Sequence, residues 1–166
     1  MALGACGGDD PARPPIVIVT PAPVRGVLAQ TSFSGFQSDV YVSLEVPLSQ
    51  RGVLDITVDW TTPTTWMYVY LGNTACTYAQ LTSRTCPFLI RSETKDPKPR
   101  VIITESLAPA TYYVVLYNVP RDTTTGTGSD NTESVAVQLG LTVSPLTSQA
   151  PGAAVSIGRP QFIHPD

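Results

Sequence analysis

The feature that most constrains this fold is a strict alternation of apolar and polar residues along short segments of the chain. In the segment 54–60, every second residue is apolar, and Asp or Thr stands between. The apolar residues are Leu54, Ile56, Val58 and Trp60, and the polar ones are Asp55, Thr57 and Asp59. Successive side chains of a β-strand point to opposite faces of its sheet, so this pattern predicts a strand with one buried and one solvated face.

Similar segments follow one another at regular spacing and are separated by turn-forming residues. They lie at 39–46, 66–71, 88–91, 100–105, 111–118 and 134–143. In 111–118 two interleaved sets of Tyr, Val and Leu leave open which face is buried. No segment shows helical periodicity, and 16 prolines and 12 glycines punctuate the chain. About seven or eight short strands of this kind predict an all-β fold, an antiparallel β-sandwich.

The chain divides into three parts. Residues 1–23 are a leader and Pro-rich tether, 24–143 form the sandwich, and 144–166 form an extended C-terminal strap. Apolar residues in the strap suit a segment that lies across a neighbouring protein, although wrapping over its own sandwich is an equal alternative.

No apolar run approaches the roughly 20 residues that span a bilayer. A net charge of −3 without a Lys/Arg cluster argues against nucleic acid as a partner.

The N-terminus resembles that of a bacterial lipoprotein. Leu3-Gly4-Ala5-Cys6 is similar to a lipobox, in which the cysteine carries the lipid. This resemblance implies a lipid anchor on Cys6 and an extracytoplasmic location, in the bacterial periplasm or at the cell surface. The alternative is a disordered N-terminus with one isolated thiol.

The other two cysteines, Cys76 and Cys86, lie ten residues apart on either side of a polar loop. If Cys6 carries lipid, they make an even pair and predict a disulfide in an oxidising compartment. Two reduced thiols are the alternative. No second cysteine pair or histidine cluster accompanies them, so they do not indicate a zinc site.

A wider resemblance covers about residues 25–143. The segments YVSLEVP at 41–47, GVLDITV at 52–58, MYVYL at 67–71 and LAPATYYVV at 107–115 are similar to the bacterial pre-peptidase C-terminal (PPC) domain. That resemblance implies a jelly-roll-like β-sandwich on a secreted protein, which acts as an accessory domain for targeting or binding.

No catalytic arrangement emerges from the residues. The only histidine, His164, stands in the Pro-flanked tail, where a general base is not expected. Asp55 and Asp59 share one strand face, but four residues separate them by about 13 Å. Glycosidase carboxylates lie about 5–9.5 Å apart, so we expect this protein not to be an enzyme.

A polar loop at 121–133 contains the only candidate metal ligands. Asp122, Asp130, Asn131 and Glu133 are oxygen ligands of the kind that Ca²⁺ takes. Their spacing matches no defined calcium loop, and a hydrophilic connection between strands is the simpler interpretation. We therefore expect no cofactor, with calcium as the one weak candidate.

The segment 66–71 contains the best candidate for a binding surface. Period two places Trp66, Tyr68 and Tyr70 on one face and Met67, Val69 and Leu71 on the other. If the aliphatic set faces the core, the aromatic set forms an exposed ladder that contacts a partner. The alternatives are that both faces are buried, or that the aromatic residues are the core.

These observations predict a non-catalytic, membrane-tethered accessory subunit that docks onto a larger protein assembly. The alternative is a carbohydrate- or matrix-binding module of a secreted or surface protein.

Overall fold

A computed structural model describes residues 22–94, 98–126, 128–144 and 156–164. Within these residues the chain forms nine β-strands and one short helix. In chain order they are β1 (Val24–Phe36), β2 (Tyr41–Leu48), β3 (Gly52–Trp60), β4 (Met67–Gly72), α1 (Tyr78–Thr82), β5 (Phe88–Ser92), β6 (Arg100–Leu107), β7 (Ala110–Asn118), β8 (Glu133–Val143) and β9 (Gln161–Ile163).

The strands form two antiparallel sheets packed face to face, which confirms the predicted all-β sandwich. The four-stranded sheet has the order β1-β8-β3-β6, and the five-stranded sheet has the order β5-β4-β7-β2-β9. Consecutive strands alternate between the sheets, except that β4 is followed by β5 in the same sheet. The β4–β5 connection is therefore free to fold over one outer face, and it contains α1.

The alternating apolar residues meet between the sheets. In the four-stranded sheet Ile56 lies opposite Leu139 on one side and Ile102 on the other. In β7 the structure decides the question that the sequence leaves open, because Val114 and Leu116 are in this core. Their neighbours on the opposite face of β7 form part of a second, smaller apolar cluster on the outside of the five-stranded sheet.

Asp55 differs from the prediction of a solvated face. It lies on the outer face of β3, but only 8% of its surface is exposed. Arg25 from β1 reaches over Gly140 and forms an ion pair with it, with Nε 2.9 Å from Oδ2. Because Gly140 has no side chain, the side chain of Arg25 can pass over it and reach Asp55 on the next strand but one. Alternation within one strand does not reveal such a contact between strands.

The described part of the strap folds back onto its own sandwich. Strand β9 pairs antiparallel with β2, and Phe162 packs edge-on against Phe33 and Phe36 at ring distances of 5.9 and 6.4 Å. Upstream, the amide of Gly158 donates to the carbonyl of Glu45 at 3.1 Å. The described residues 156–164 thus wrap over their own sandwich, which is one of the two alternatives that the sequence leaves open for the strap.

In the part of the chain that the structure describes, no helix is long and apolar enough to cross a membrane.

Candidate functional site: a tyrosine-lined pocket

The candidate site begins with α1, which the sequence analysis missed. A helix of five residues is too short to show apolar periodicity, but its start has a local signal. The Oγ1 of Thr77 accepts from the Gln80 amide at 3.3 Å, and Oε1 of Gln80 accepts from the Thr77 amide at 2.9 Å. This reciprocal pair is a capping box, and Thr-x-x-Gln is its sequence signature.

The end of α1 brings Arg84 to the site. Behind the C-cap Ser83, the amide of Arg84 donates to Leu81 O at 3.2 Å and the amide of Thr85 donates to Gln80 O at 3.0 Å. These two bonds make a Schellman motif, whose residue after the cap takes the left-handed conformation. Arg84 does so with a φ of 58°.

A disulfide holds this connection against the sheet. Cys76 is bonded to Cys86, as the sequence predicts, and closes a loop of ten residues' separation around α1. Leu81 and Cys86 are buried against the outward side chains of the five-stranded sheet, among them Tyr70 and Val115. The disulfide thus joins the two ends of the loop, and burial of Leu81 and Cys86 packs the loop against the sheet.

Aromatic rings from four strands, β2, β4, β5 and β7, form the floor of a pocket beside α1. Tyr41 stacks on Tyr117 at 4.2 Å, and Tyr70 stacks on Phe88 at 4.5 Å. Tyr68 lies between the two stacks, 6.3 Å from Tyr117. The pocket has a volume of about 250 Å³. Its rim and walls are completed by Leu81, Thr82, Arg84, Arg91 and Glu93.

The predicted aromatic ladder is present only in part. Met67, Val69 and Leu71 are fully buried in the main core, so the aliphatic face is the core face. Tyr70, however, is only 6% exposed because Phe88 and the disulfide loop cover it. Trp66 and Tyr68 are half-buried. Tyr68 and Tyr70, on the outward face of β4, therefore belong to the floor of the pocket, whereas Trp66 does not line it. That these three residues bind a partner stays a prediction.

Three tyrosine hydroxyls of the pocket, those of Tyr41, Tyr70 and Tyr117, keep their protons over a wide pH range because their pKa values are raised. Burial, and then the charge of Asp39, raises the pKa of Tyr41 to about 12. Burial also raises the pKa of Tyr70, with the charge and a hydrogen bond of Glu93 adding to it. Tyr117 follows the same pattern, and its hydroxyl donates to Oδ1 of Asp39 at 2.8 Å. These hydroxyls are neutral hydrogen-bond donors, not bases.

The two arginines of the pocket differ in what they contact. Nη2 of Arg91 donates to the carbonyls of Arg84 and Cys86 at 3.4 and 3.0 Å, and its guanidinium lies 5.2 Å from the ring centre of Phe88. Arg91 therefore braces the loop. The side chain of Arg84 is exposed and makes no hydrogen bond or ion pair with any residue that the structure describes.

The candidate calcium ligands bind their own surroundings. Asp122 accepts from the amide of Thr124 and the hydroxyl of Thr125, both at 2.8 Å, and these hydrogen bonds lower its pKa. Oδ1 of Asp130 accepts from the Arg121 amide at 3.3 Å. Asn131 accepts through its backbone carbonyl from the side chain of Asn118, at 3.0 Å.

Glu133 turns away from this loop into the protein. It is 1% exposed at the start of β8, where it accepts from the Thr62 amide at 2.8 Å and the Thr65 hydroxyl at 2.6 Å. Among the residues in the described ranges, no three or more His, Cys, Asp or Glu side chains are grouped to hold a metal ion. The composition of the loop does not reveal that Glu133 is buried, because its partners Thr62 and Thr65 come from a distant segment of the chain.

Two further candidate positions are His164 and Cys6. His164 ends the described strap, away from the pocket, and its ring is parallel to that of Phe162 at 6.3 Å. Cys6 lies outside the described residues.

Comparison with known proteins returns no relative. No protein-family model matches the chain, and neither the curated proteins nor the solved structures contain a match to it.

Proposed function

We propose that this protein is a non-catalytic, extracytoplasmic accessory subunit that docks onto a larger protein assembly through its tyrosine-lined pocket. One observation carries the proposal: five aromatic rings and two arginines form a pocket that a disulfide holds in shape. The lipobox-like residues and the PPC-like segments support a tether and an accessory role, and the Cys76–Cys86 disulfide supports an oxidising compartment.

The composition of the pocket favours recognition of a protein. Tyr, Trp and Arg are the residues most enriched at the energetic centres of protein interfaces. Tyrosine offers a large contact area with few rotatable bonds, so it loses little conformational entropy on binding. The ring stacks and the closed loop hold these side chains in place before a partner arrives, which lowers the cost of binding further.

The same groups favour binding over catalysis. A general base or nucleophile needs a pKa near the working pH. Tyr41, Tyr70 and Tyr117 have pKa values raised away from neutrality. The remaining polar groups, Glu93 and the arginines, suit hydrogen bonding and charge recognition.

A carbohydrate- or matrix-binding module is the second candidate. The specific observation in its favour is the size of the pocket, because about 250 Å³ is enough for a single sugar ring. Aromatic floors with a few polar groups at the rim are typical of small-ligand pockets.

The experiment is affinity purification of the full chain from native membranes, followed by mass spectrometry of bound proteins and of the Cys6 peptide. We expect a stoichiometric protein partner and a lipid adduct on Cys6. Tyr68→Ala should lose the partner. The matched control Gln138→Ala, an exposed residue on the opposite sheet, should retain it. Circular dichroism of each variant checks folding.

Three outcomes speak against the proposal. Retention of the partner by the folded Tyr68→Ala variant would place the docking surface elsewhere. Retention of polysaccharide with no protein partner would favour the second candidate. An unmodified Cys6 thiol would remove the tether.

A further inference from the structure

We infer that the tyrosine-lined pocket recognises an acidic segment of the protein partner, with an Asp or Glu carboxylate of that segment bound by the guanidinium of Arg84. This inference rests on the proposed docking function and names the chemistry of the docked segment.

The first observation is the backbone of Arg84. The residue after a Schellman cap has a positive φ, and glycine is the usual residue there because a Cβ is strained in that conformation. Arg84 has a φ of 58°. The local structure therefore favours glycine at a position where the chain has an arginine, and residues kept in an unfavourable backbone region cluster at binding sites.

The second observation is where its charge lies. Arg84 lines the pocket, and its positive charge lowers the pKa of Tyr41 against the larger effect of burial. Its guanidinium makes no hydrogen bond or ion pair with the described residues, whereas Arg91 is engaged by two carbonyls and a ring. Arg84 is thus the cation of the pocket that has its donors available for a ligand.

The charged residues that line the pocket are Arg84, Arg91 and Glu93, so cations outnumber carboxylates there. Asp39 lies outside this lining and accepts from the Tyr117 hydroxyl. The whole chain carries a net charge of −3, so attraction of an acidic segment has to be local. Charge complementarity at this pocket therefore depends on Arg84.

Geometry favours a carboxylate with an apolar stem as the bound group. A guanidinium presents parallel N–H donors that match the two oxygens of a carboxylate. The tyrosine rings next to it offer faces to the methylene groups of Asp or Glu and to a flanking apolar residue. A volume of about 250 Å³ accommodates one such side chain.

The test uses the full chain and a phage-displayed library of random short peptides as the probe. Enriched peptides are synthesised, each with a counterpart in which Asp or Glu is replaced by Asn or Gln. Their affinities are measured by fluorescence anisotropy for the wild type, Arg84→Gly, Arg84→Lys and Tyr68→Ala. A uronic-acid polysaccharide serves as the second probe.

We expect the enriched peptides to share an acidic residue and to bind about tenfold or more weakly when it is neutralised, as loss of a charged hydrogen bond predicts. Arg84→Gly should weaken the acidic peptide to the same degree and leave its neutral counterpart unchanged. Arg84→Lys should restore only part of the affinity, because lysine lacks the planar fork.

The outcomes separate this inference from the proposed function. Peptides without an acidic residue that bind Arg84→Gly normally, but not Tyr68→Ala, would overturn the inference and leave docking intact. Absence of any enriched peptide, or Arg84-dependent binding of the polysaccharide alone, would overturn both.

Discussion

Replacing Arg84 by glycine should make the folded protein more stable, which is an unusual expectation for a pocket residue. Left-handed backbone costs a non-glycine residue about 1–2 kcal/mol. Glycine in turn loses about 0.5–1 kcal/mol more than alanine through its freedom in the unfolded chain. The side chain of Arg84 is exposed and has no hydrogen bond within the described residues, so its removal costs little. The net expectation for Arg84→Gly is a gain of about 0.5–1 kcal/mol.

Thermal unfolding followed by circular dichroism, with the disulfide intact, measures this change. For a chain of this length the gain corresponds to a Tm higher by about 1–4 °C. Amide hydrogen exchange provides a local measurement, because the amides of Arg84 and Thr85 are donors in the Schellman motif. Their protection should rise together with the Tm.

Arg84→Ala is the matched control. Alanine removes the guanidinium as glycine does, but its Cβ keeps the strain of the positive φ. We expect its Tm to stay near that of the wild type. A lower Tm for Arg84→Gly, or an equal gain for Arg84→Ala, would refute the reasoning that the backbone at this position disfavours arginine.

Four more predictions follow from the structure. Glu133→Ala removes the acceptor of one buried and one partly buried hydrogen bond. It should lower the free energy of unfolding by about 3 kcal/mol in urea titration, and a change below about 1 kcal/mol would contradict this role. The pKa of Tyr41 is about 12 in the folded protein, against an ordinary value of 10.0. The contribution of this hydroxyl to stability is therefore complete below pH 10 and is lost as the pH rises through 12. Tyrosinate absorbance during alkaline unfolding measures the pKa, and titration of Tyr41 near pH 10 in the native protein would disprove the prediction. Replacing Cys76 and Cys86 by serine should cost about 3 kcal/mol, because a short loop in the unfolded chain is no longer closed; an unchanged urea midpoint would show that the loop is stable without the bond. Phe162→Ala should cost about 1–2 kcal/mol, since its ring is partly exposed; equal unfolding curves would mean that β9 does not stabilise the sandwich.

Much of the sandwich follows from local pattern. The alternation in β2, β3 and β8 predicts both the strands and their inward faces, since side-chain direction in a strand is a property of the backbone itself. The disulfide was also predicted, because Cys76 and Cys86 lie ten residues apart and make an even pair if Cys6 carries lipid. Helix α1 could also have been predicted from the capping signal at Thr77 and Gln80.

The candidate site was much less predictable. The sequence shows that Tyr68 and Tyr70 share the outward face of one strand, and Tyr117 can be assigned to a strand in the same way. It does not show that β4 and β7 are neighbours, or that Tyr41 of β2 stacks on Tyr117. Strand order depends on contacts between distant segments, so alternation within one strand says nothing about it.

By itself, the sequence determined that this protein is built from short antiparallel strands with one apolar face each, and it favoured a disulfide between Cys76 and Cys86 over two free thiols. Only the tertiary structure decided which outward residues are covered. Tyr70 is buried because the disulfide loop folds over it, and Asp55 is shielded because Arg25 reaches it across a glycine. The alternation of residues along β3 and β4 assigns both side chains to the outer face of a sheet. Whether an outward side chain is buried there depends on which distant part of the chain covers it.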